Sequence, residues 1–210
     1  MDQVQEKLLE IAGQVFAEKG FKSATVREIC ARAGVNIASV NYYFGDKERL
    51  YIEAVKSAHS CRIDLAPTPE WPTGTPATIK LRDFVRMMIR RMVQGDVPTW
   101  HFQLIMREMI EPSAACVELV RDTIRPMANL LLDIVSELAP EAPLEKKYMI
   151  GFSVVGQCFH YRVHRPINAL LLGEENYRRL DADKIADHIA DFTLAALGHG
   201  PPVGSKGEKS

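Results

Sequence analysis

The stretch from Thr25 to Leu50, TVREICARAGVNIASVNYYFGDKERL, constrains this chain more than any other. Thr25 followed by Glu28 has the spacing of a capping box, in which the hydroxyl takes an orphan backbone N–H and the carboxylate reaches back. A short helix should run from there to about Ala33. Gly34 supplies a turn that needs a permissive backbone, and Asn36 or Ile37 opens a second helix that ends near Phe44-Gly45. Two short helices joined by a tight glycine turn are a helix-turn-helix, whose second helix enters the DNA major groove.

The charge pattern fits a small number of placed phosphate contacts. The whole chain of 210 residues carries a net charge of −1, so it is not a polycation. Between Lys22 and Arg49, Lys22, Arg27, Arg32, Lys47 and Arg49 face Glu28, Asp46 and Glu48, a small local surplus. Such a surplus suits positioning on a duplex rather than a broad basic face.

Helical periodicity continues on both sides. Val4, Leu8, Ile11, Ala12, Val15 and Phe16 recur at helical spacing up to Gly20, where Phe21 should fold back onto the core. A further helix starts near Asp46, with Asp46 and Glu48 at its acid-favouring end. APTPEWPTGTPAT (residues 66–78) is a loop. Beyond it, Leu81, Phe84, Val85, Met88, Ile89 and Met92 form one stripe of a helix over 79–93. A helix follows from Pro98 through Met109, then a long one from Ser113 to about Leu138 that Pro126 should kink or split. Leu144–Arg165 is long and rather apolar, and Pro166 should end or bend it. A last helix begins at Asp181 or Asp183 and ends at Gly198. No strand pattern and no internal repeat is visible. The fold class is therefore all-α: an N-terminal three-helix helix-turn-helix domain over residues 1–50, a C-terminal helical ligand-binding and dimerisation bundle over 51–198, and a disordered tail over 199–210.

The rest of the composition excludes several classes. No apolar run is long enough for a transmembrane helix, and the acidic, amphipathic MDQVQEKLLE lacks signal-peptide features, which points to the cytoplasm. Cys30, Cys61, Cys116 and Cys158 are widely spaced and read as buried small hydrophobes in a reducing compartment. No nucleophilic triad, paired-carboxylate motif, phosphate-cradling loop or metal triad argues for an enzyme, and no cofactor is indicated. His160 and His164 lie four apart in HYRVH, as metal-binding pairs do, with Cys158 or Glu108 as conceivable companions. No third ligand is fixed, and Arg162 and Arg165 oppose a cation there.

On Phe16, Gly20, Thr25, Ile29, Ala33-Gly34-Val35, Val40 through Phe44 and Lys47 to Leu50, the chain resembles the TetR family of bacterial transcriptional regulators. It departs at Asn41, where the family commonly has Tyr. NYYFGDKERLY, REMIEPS, IRPM and GQCFHYRVHRPI look like the CecR branch of that family. The resemblance implies a homodimer through the last two long helices, a palindromic double-stranded DNA operator, a repressor released by a small-molecule effector, and a link to efflux or drug-tolerance genes. Gly151, Ser153 and Gly156 would allow close helix approach in the dimer, with Phe152, Val154 and Val155 supplying apolar surface. Two-fold symmetry would set two recognition helices about 34–36 Å apart, or farther on distorted DNA.

Roles then follow from geometry. Thr25 and Arg27 are expected at phosphate, aided by the helix N-terminus. Val40 and Phe44, four apart, form the buried face of the recognition helix. That leaves Asn36, Ile37, Ala38, Ser39, Asn41, Tyr42 and Tyr43 toward DNA. Ile37 or Ala38 suits a thymine methyl, and Ser39 and Asn41 can hydrogen-bond base edges. Tyr42, Tyr43 and Lys47 suit phosphate, with packing against the first helix as the rival reading of Tyr43. Arg49 reads as a solvated side chain. The resemblance, rather than periodicity, implies an effector pocket. Its apolar candidates are Met88, Met92, Phe102, Met106, Met109, Ile124, Met127, Phe152 and Phe159, with Arg107, Glu108 and Gln157 as polar ones, and ordinary core packing is the rival for each. The alternatives are a constitutive DNA-binding protein without effector, or a metal- or redox-sensing repressor.

Overall fold

A computed structural model of the chain describes residues 2–63, 65–93 and 98–201, and every regular element among them is helical. The chain divides into two compact units, Met1–Asp64 with Asp96–Arg125, and Leu65–Gly95 with Pro126–Ser210.

The first unit opens with α1 (Gln3–Ser23), which Gly20 breaks at φ 75°, ψ 168°. Only glycine takes that conformation at low cost, so the chain turns there. Phe21 then folds back, its ring centroid 5.1 Å from that of Tyr51. Phe16 meets the same Tyr51 ring edge-on at 4.9 Å. Leu8, Ala12, Val15 and Phe16 are fully buried, which is the stripe their spacing predicts. At Gly13 the ring of Trp100 lies where a side chain would stand. The missing Cβ lets α1 and α6 (Thr99–Ile110) approach closely.

The helix-turn-helix follows as α2 (Val26–Ala33) and α3 (Ala38–Phe44). Thr25 Oγ1 accepts the Glu28 N–H at 3.2 Å. The reciprocal half of the expected capping box is replaced, because the Glu28 carboxylate is drawn to Lys19 Nζ at 2.7 Å and Arg32 Nη2 at 2.9 Å. Gly34 sits at φ 68°, ψ 34°, and its N–H closes on carbonyls of Cys30 and Ala31. Gly45, at φ 85°, ends α3. Asp46 Oδ1 then accepts the Arg49 N–H at 2.7 Å and starts α4 (Lys47–Ile63).

The helix-turn-helix does not stand alone. α4 packs on α1, α6 and α7 (Ala114–Leu119) within the same unit. Leu50, Ala54, Val55 and Ala58 are its buried row. The compact unit is thus larger than residues 1–50, because the apolar face of α4 is covered by helices that arrive much later in the chain. After α7 comes a π-helical turn (Val120–Ile124), with the Arg125 N–H reaching back to Val120 O, and then α8 (Arg125–Leu138). Of the kink or split expected at Pro126 no split is present: the chain stays helical through it, and the distortion is the π turn. A proline has no N–H to give, and the widened turn just before it absorbs the misfit.

In the second unit α5 (Ala77–Val93) lies along α12 (Ala182–Ala196), with Leu81, Phe84, Val85 and Ile89 fully buried or nearly so against residues such as Ile134, Val135, Ile185 and Ile189. Met87 is buried, whereas Met88 and Met92 of the expected stripe are only partly buried. Three exposed ion pairs flank this seam: Arg82–Asp191 at 2.5 Å, Arg86–Asp187 at 3.0 Å and Arg90–Asp183 at 3.2 Å. The buried Arg91 donates to Ala66 O at 2.7 Å and Thr68 Oγ1 at 3.1 Å, which ties the proline-rich segment to α5.

α9 (Leu144–Val163) runs through one distorted residue, His164, into α10 (Arg165–Leu172), where Pro166 sits in the first turn. The interval after Pro166, for which the sequence pattern gives no assignment, holds α10 and the short α11 (Glu174–Arg178). Asp181 caps α12, accepting the Lys184 N–H at 2.8 Å. The segment expected as a tail begins ordered: His199 Nε2 is 2.6 Å from Leu138 O. Residues 202–210 lie outside the described residues.

Candidate nucleic-acid interface

The two faces of α3 separate as its sequence predicts. Val40 and Phe44 are buried in the first unit's core. Asn36, Ile37, Ala38, Asn41 and Tyr42 are exposed, and Ser39 is half-buried. Tyr42 is 81% exposed and Ile37 50%, high values for apolar rings and chains that the core of a small unit would otherwise claim. Asn36 also acts locally, because its Oδ1 accepts the Ala38 N–H at 2.9 Å and caps the helix.

Around that helix the expected phosphate-binding groups take definite positions. Thr25 and Arg27 are exposed at the start of α2. Lys47 is half-buried, with Nζ 4.6 Å from the centroid of the Phe21 ring. Tyr43 is half-buried against the core, and its ring meets Tyr42 edge-on at 4.8 Å. Its hydroxyl donates to Asp2 Oδ2 at 2.6 Å. That contact holds the Asp2 carboxyl below the usual carboxylate range and raises the Tyr43 phenol above its ordinary value. Asp2 escapes a motif-based reading because it lies forty-one positions from Tyr43.

Arg49 requires a correction. It is exposed, but it is not merely solvated: it pairs with Glu53 at 2.6 Å and with Glu118 of α7 at 3.0 Å. Lys56 joins the same Glu118 and also reaches Asp122 at 3.3 Å. These cations hold Glu118 below its ordinary range, and Arg121 brings Asp122 down to about 2. Beyond Glu53, four positions on in α4, local sequence carries no sign of this network, because its other acids lie on α7 and the π turn.

The effector candidates are shared between the units. Phe102, Met106, Arg107, Met109 and Ile124 belong to the first, and Met88, Met92, Met127, Phe152 and Phe159 to the second. Met127 and Ile124 are partly buried against their own cores, while Met109 and Phe152 are 43% and 70% exposed. Arg107 is engaged by backbone, donating to Ala17 O at 2.9 Å and Glu18 O at 3.2 Å beside the break in α1. Glu108 is buried and accepts from Tyr51 and Ser113. Gln157 donates to Ser153 O at 3.3 Å. Among the described residues of the second unit, open cavities of about 700 Å³ and about 370 Å³ lie beside Met87, Arg86 and Arg90 and between α9 and α12 respectively. The second is lined by Gln157; neither is lined by the methionine and aromatic candidates.

On α9, the residues named for helix approach also divide. Gly151 faces Leu131 within the unit and Val154 is buried in its core. Gly156 and Phe152 are exposed. His160 and His164 stack at 4.7 Å, and His160 Nε2 lies 3.2 Å from Asn168 Nδ2. Cys158 is buried, its thiol pushed up to about 12. Among the described residues no cluster of three or more His, Cys, Asp or Glu could hold a metal ion. The four cysteines are free; Cys30 and Cys158 are buried, but Cys61 is exposed and Cys116 half-buried, against the expectation that all were core. Among the described residues no helix is long and apolar enough to cross a membrane.

Comparison with known proteins agrees with this arrangement. Residues 8–54 match the bacterial regulatory proteins of the tetR family, and residues 77–197 match the C-terminal domain of the HTH-type transcriptional dual regulator CecR. The chain is 30% identical to CecR of Shigella flexneri, over 93% of each chain. Its fold is similar to that of a TetR-like regulator from Rhodococcus sp. RHA1, with a TM-score of 0.63 at 17% identity, covering 93% of this chain and 96% of that one. It is also similar to AibR, solved in complex with isovaleryl coenzyme A and operator DNA, with a TM-score of 0.63 at 15% identity over 90% and 97%. The exposed recognition helix, the family match on both halves of the sequence and the relative that spans the chain together place this protein in the TetR family of DNA-binding transcriptional regulators, with a CecR-type C-terminal domain.

Proposed function

We propose that the chain is an effector-controlled repressor that binds a palindromic operator as a homodimer. The observation that carries this reading is the outward row of α3, where Asn36, Ile37, Ala38, Asn41 and Tyr42 are exposed while Val40 and Phe44 anchor the helix. Asn41 and Ser39 read base edges, and Ile37 or Ala38 meets a thymine methyl. Thr25, Arg27, Tyr42, Tyr43 and Lys47 hold phosphates. Residues 1–50 supply the reading and residues 51–198 its control.

Dimerisation through α9 and α12 is supported by apolar side chains that the second unit leaves uncovered. Leu144, Tyr148, Met149 and Phe152 are 43–70% exposed on α9, and Phe192 on α12 is 48% exposed. The same texture continues into α10, where Ile167, Leu170 and Leu171 are 55–85% exposed with no charge after Arg165. Patches of this kind mark interaction sites, and an uncharged one is compatible with a copy of itself across a two-fold axis. A small-molecule effector is supported by analogy with AibR, whose structure contains isovaleryl coenzyme A as well as operator DNA. Release requires that the effector bind the two states unequally.

Selection of genomic fragments with the purified protein, followed by gel shifts in the presence of small molecules related to the neighbouring genes, tests this reading. A recovered inverted repeat whose shift is abolished by one compound supports it. Binding that no compound relieves favours a constitutive DNA-binding protein.

A further inference from the structure

The Tyr43 hydroxyl has one proton, and Asp2 holds it. Oδ2 of Asp2 accepts from Tyr43 at 2.6 Å, and Oδ1 of the same carboxylate accepts the Val4 N–H at 3.2 Å as the cap of α1. The carboxylate therefore joins the start of α1 to the recognition helix. A phosphodiester oxygen and a carboxylate are both acceptors only, whereas a phenol has a single hydrogen to donate. Tyr43 cannot donate to a phosphate while it donates to Asp2. The Tyr43 ring is half-buried and set against Tyr42 and Phe44, so the ring stays while its hydroxyl changes partner.

We propose that Asp2 is an intramolecular competitor of the DNA backbone, occupying the Tyr43 hydroxyl that a phosphate must take. This rests on the reading of Tyr43 as a phosphate contact. Two features support it. The hydrogen bond to Tyr43 lowers the Asp2 carboxyl, so the group is an anion at neutral pH and repels a phosphate brought to the same hydroxyl. Asp2 is also exposed, so its carboxylate can rotate into water without leaving a buried charge. Because a phosphate carries no sequence, Asp2 weakens binding to all duplexes alike and leaves base preference untouched.

The test is a double-mutant cycle on binding to a mixed-sequence duplex, read by fluorescence anisotropy. D2N keeps the cap, since Asn serves at that position as well as Asp, and removes the charge. D2S, another good cap, is the second variant should the first be poorly folded. The expected result is that D2N tightens binding by about three- to tenfold, that Y43F costs more in the D2N background than in the wild type, and that the gain from D2N shrinks by at least about half in the Y43F background. If Y43F weakens binding equally in both backgrounds, Tyr43 is a phosphate contact but Asp2 does not compete for it, and the proposal is overturned. If Y43F leaves binding unchanged in the D2N background, the reading of Tyr43 itself fails, and the competition falls with it.

Discussion

Tyr51 on α4 donates its hydroxyl to Glu108 on α6 at 2.5 Å, in the interior of the first unit. The second oxygen of that carboxylate accepts the Ser113 N–H at 3.1 Å and its hydroxyl at 2.8 Å, and Ser113 in turn caps α7 through the Ala115 N–H. One buried carboxylate, 2% exposed, thus ties together the helix that follows the recognition helix and the two that cover it. Buried acids persist where their hydrogen bonds are met.

Removing the phenol hydroxyl takes away one of those bonds. Tyr51→Phe is expected to cost about 1–3 kcal/mol of unfolding free energy in urea melts, because the carboxylate loses a donor it cannot replace with water. An unchanged midpoint would show that Glu108 is satisfied without Tyr51.

The same pair gives a pH dependence. Burial, then the bond to Glu108, raises the Tyr51 phenol above its unfolded value. A raised folded pKa means the contribution is fully present below the unfolded value of about 10 and is lost as pH climbs past it. The wild-type protein should lose stability between about pH 10 and higher pH more steeply than Tyr51→Phe, as measured by urea midpoints across that range. Parallel profiles for the two proteins would contradict this.

At Gly13 two small effects oppose each other. Replacing a mid-helix glycine by alanine gains up to about 1 kcal/mol of helix propensity. Here the added methyl would overlap the Trp100 ring, and overpacking of that kind costs about 1–3 kcal/mol. Gly13→Ala is therefore expected to lower the melting temperature, with partial recovery when Trp100 is replaced by Leu. A rise in melting temperature would mean that Trp100 moves aside freely.

Much of the fold was legible in the chain. The Thr25, Gly34 and Phe44-Gly45 punctuation places α2 and α3 because caps and left-handed turns depend on local residue chemistry. Pro126 likewise announces a distortion, though not that it would take the form of a π turn in a helix that continues. What the pattern leaves out are pairs joined only by tertiary packing: Asp2 with Tyr43, Tyr51 with Glu108, and Arg49 with Glu118. Glu28 illustrates the limit within a motif. Its spacing from Thr25 is that of a capping box, yet Lys19, nine positions back on α1, takes the carboxylate. The methionine and aromatic candidates fall in both units, and helical period does not distinguish a pocket wall from core.

Phe152 is the most exposed of the large apolar side chains named on α9. Phe152→Glu should leave the fold intact by circular dichroism and shift the protein to monomer in sedimentation velocity, since two buried glutamates would oppose each other across a two-fold interface. A variant that remains dimeric would move the interface elsewhere.

Whether α3 reads sequence within a two-subunit complex is tested most directly by measuring stoichiometry and affinity on a selected duplex, for wild type and Asn41→Ala, over a series of salt concentrations. Two subunits per site are expected and, for Asn41→Ala, an affinity loss confined to the selected sequence, with a salt slope equal to that of wild type. Equal loss on selected and random duplexes, or a wild-type protein that prefers neither, would contradict sequence reading by α3.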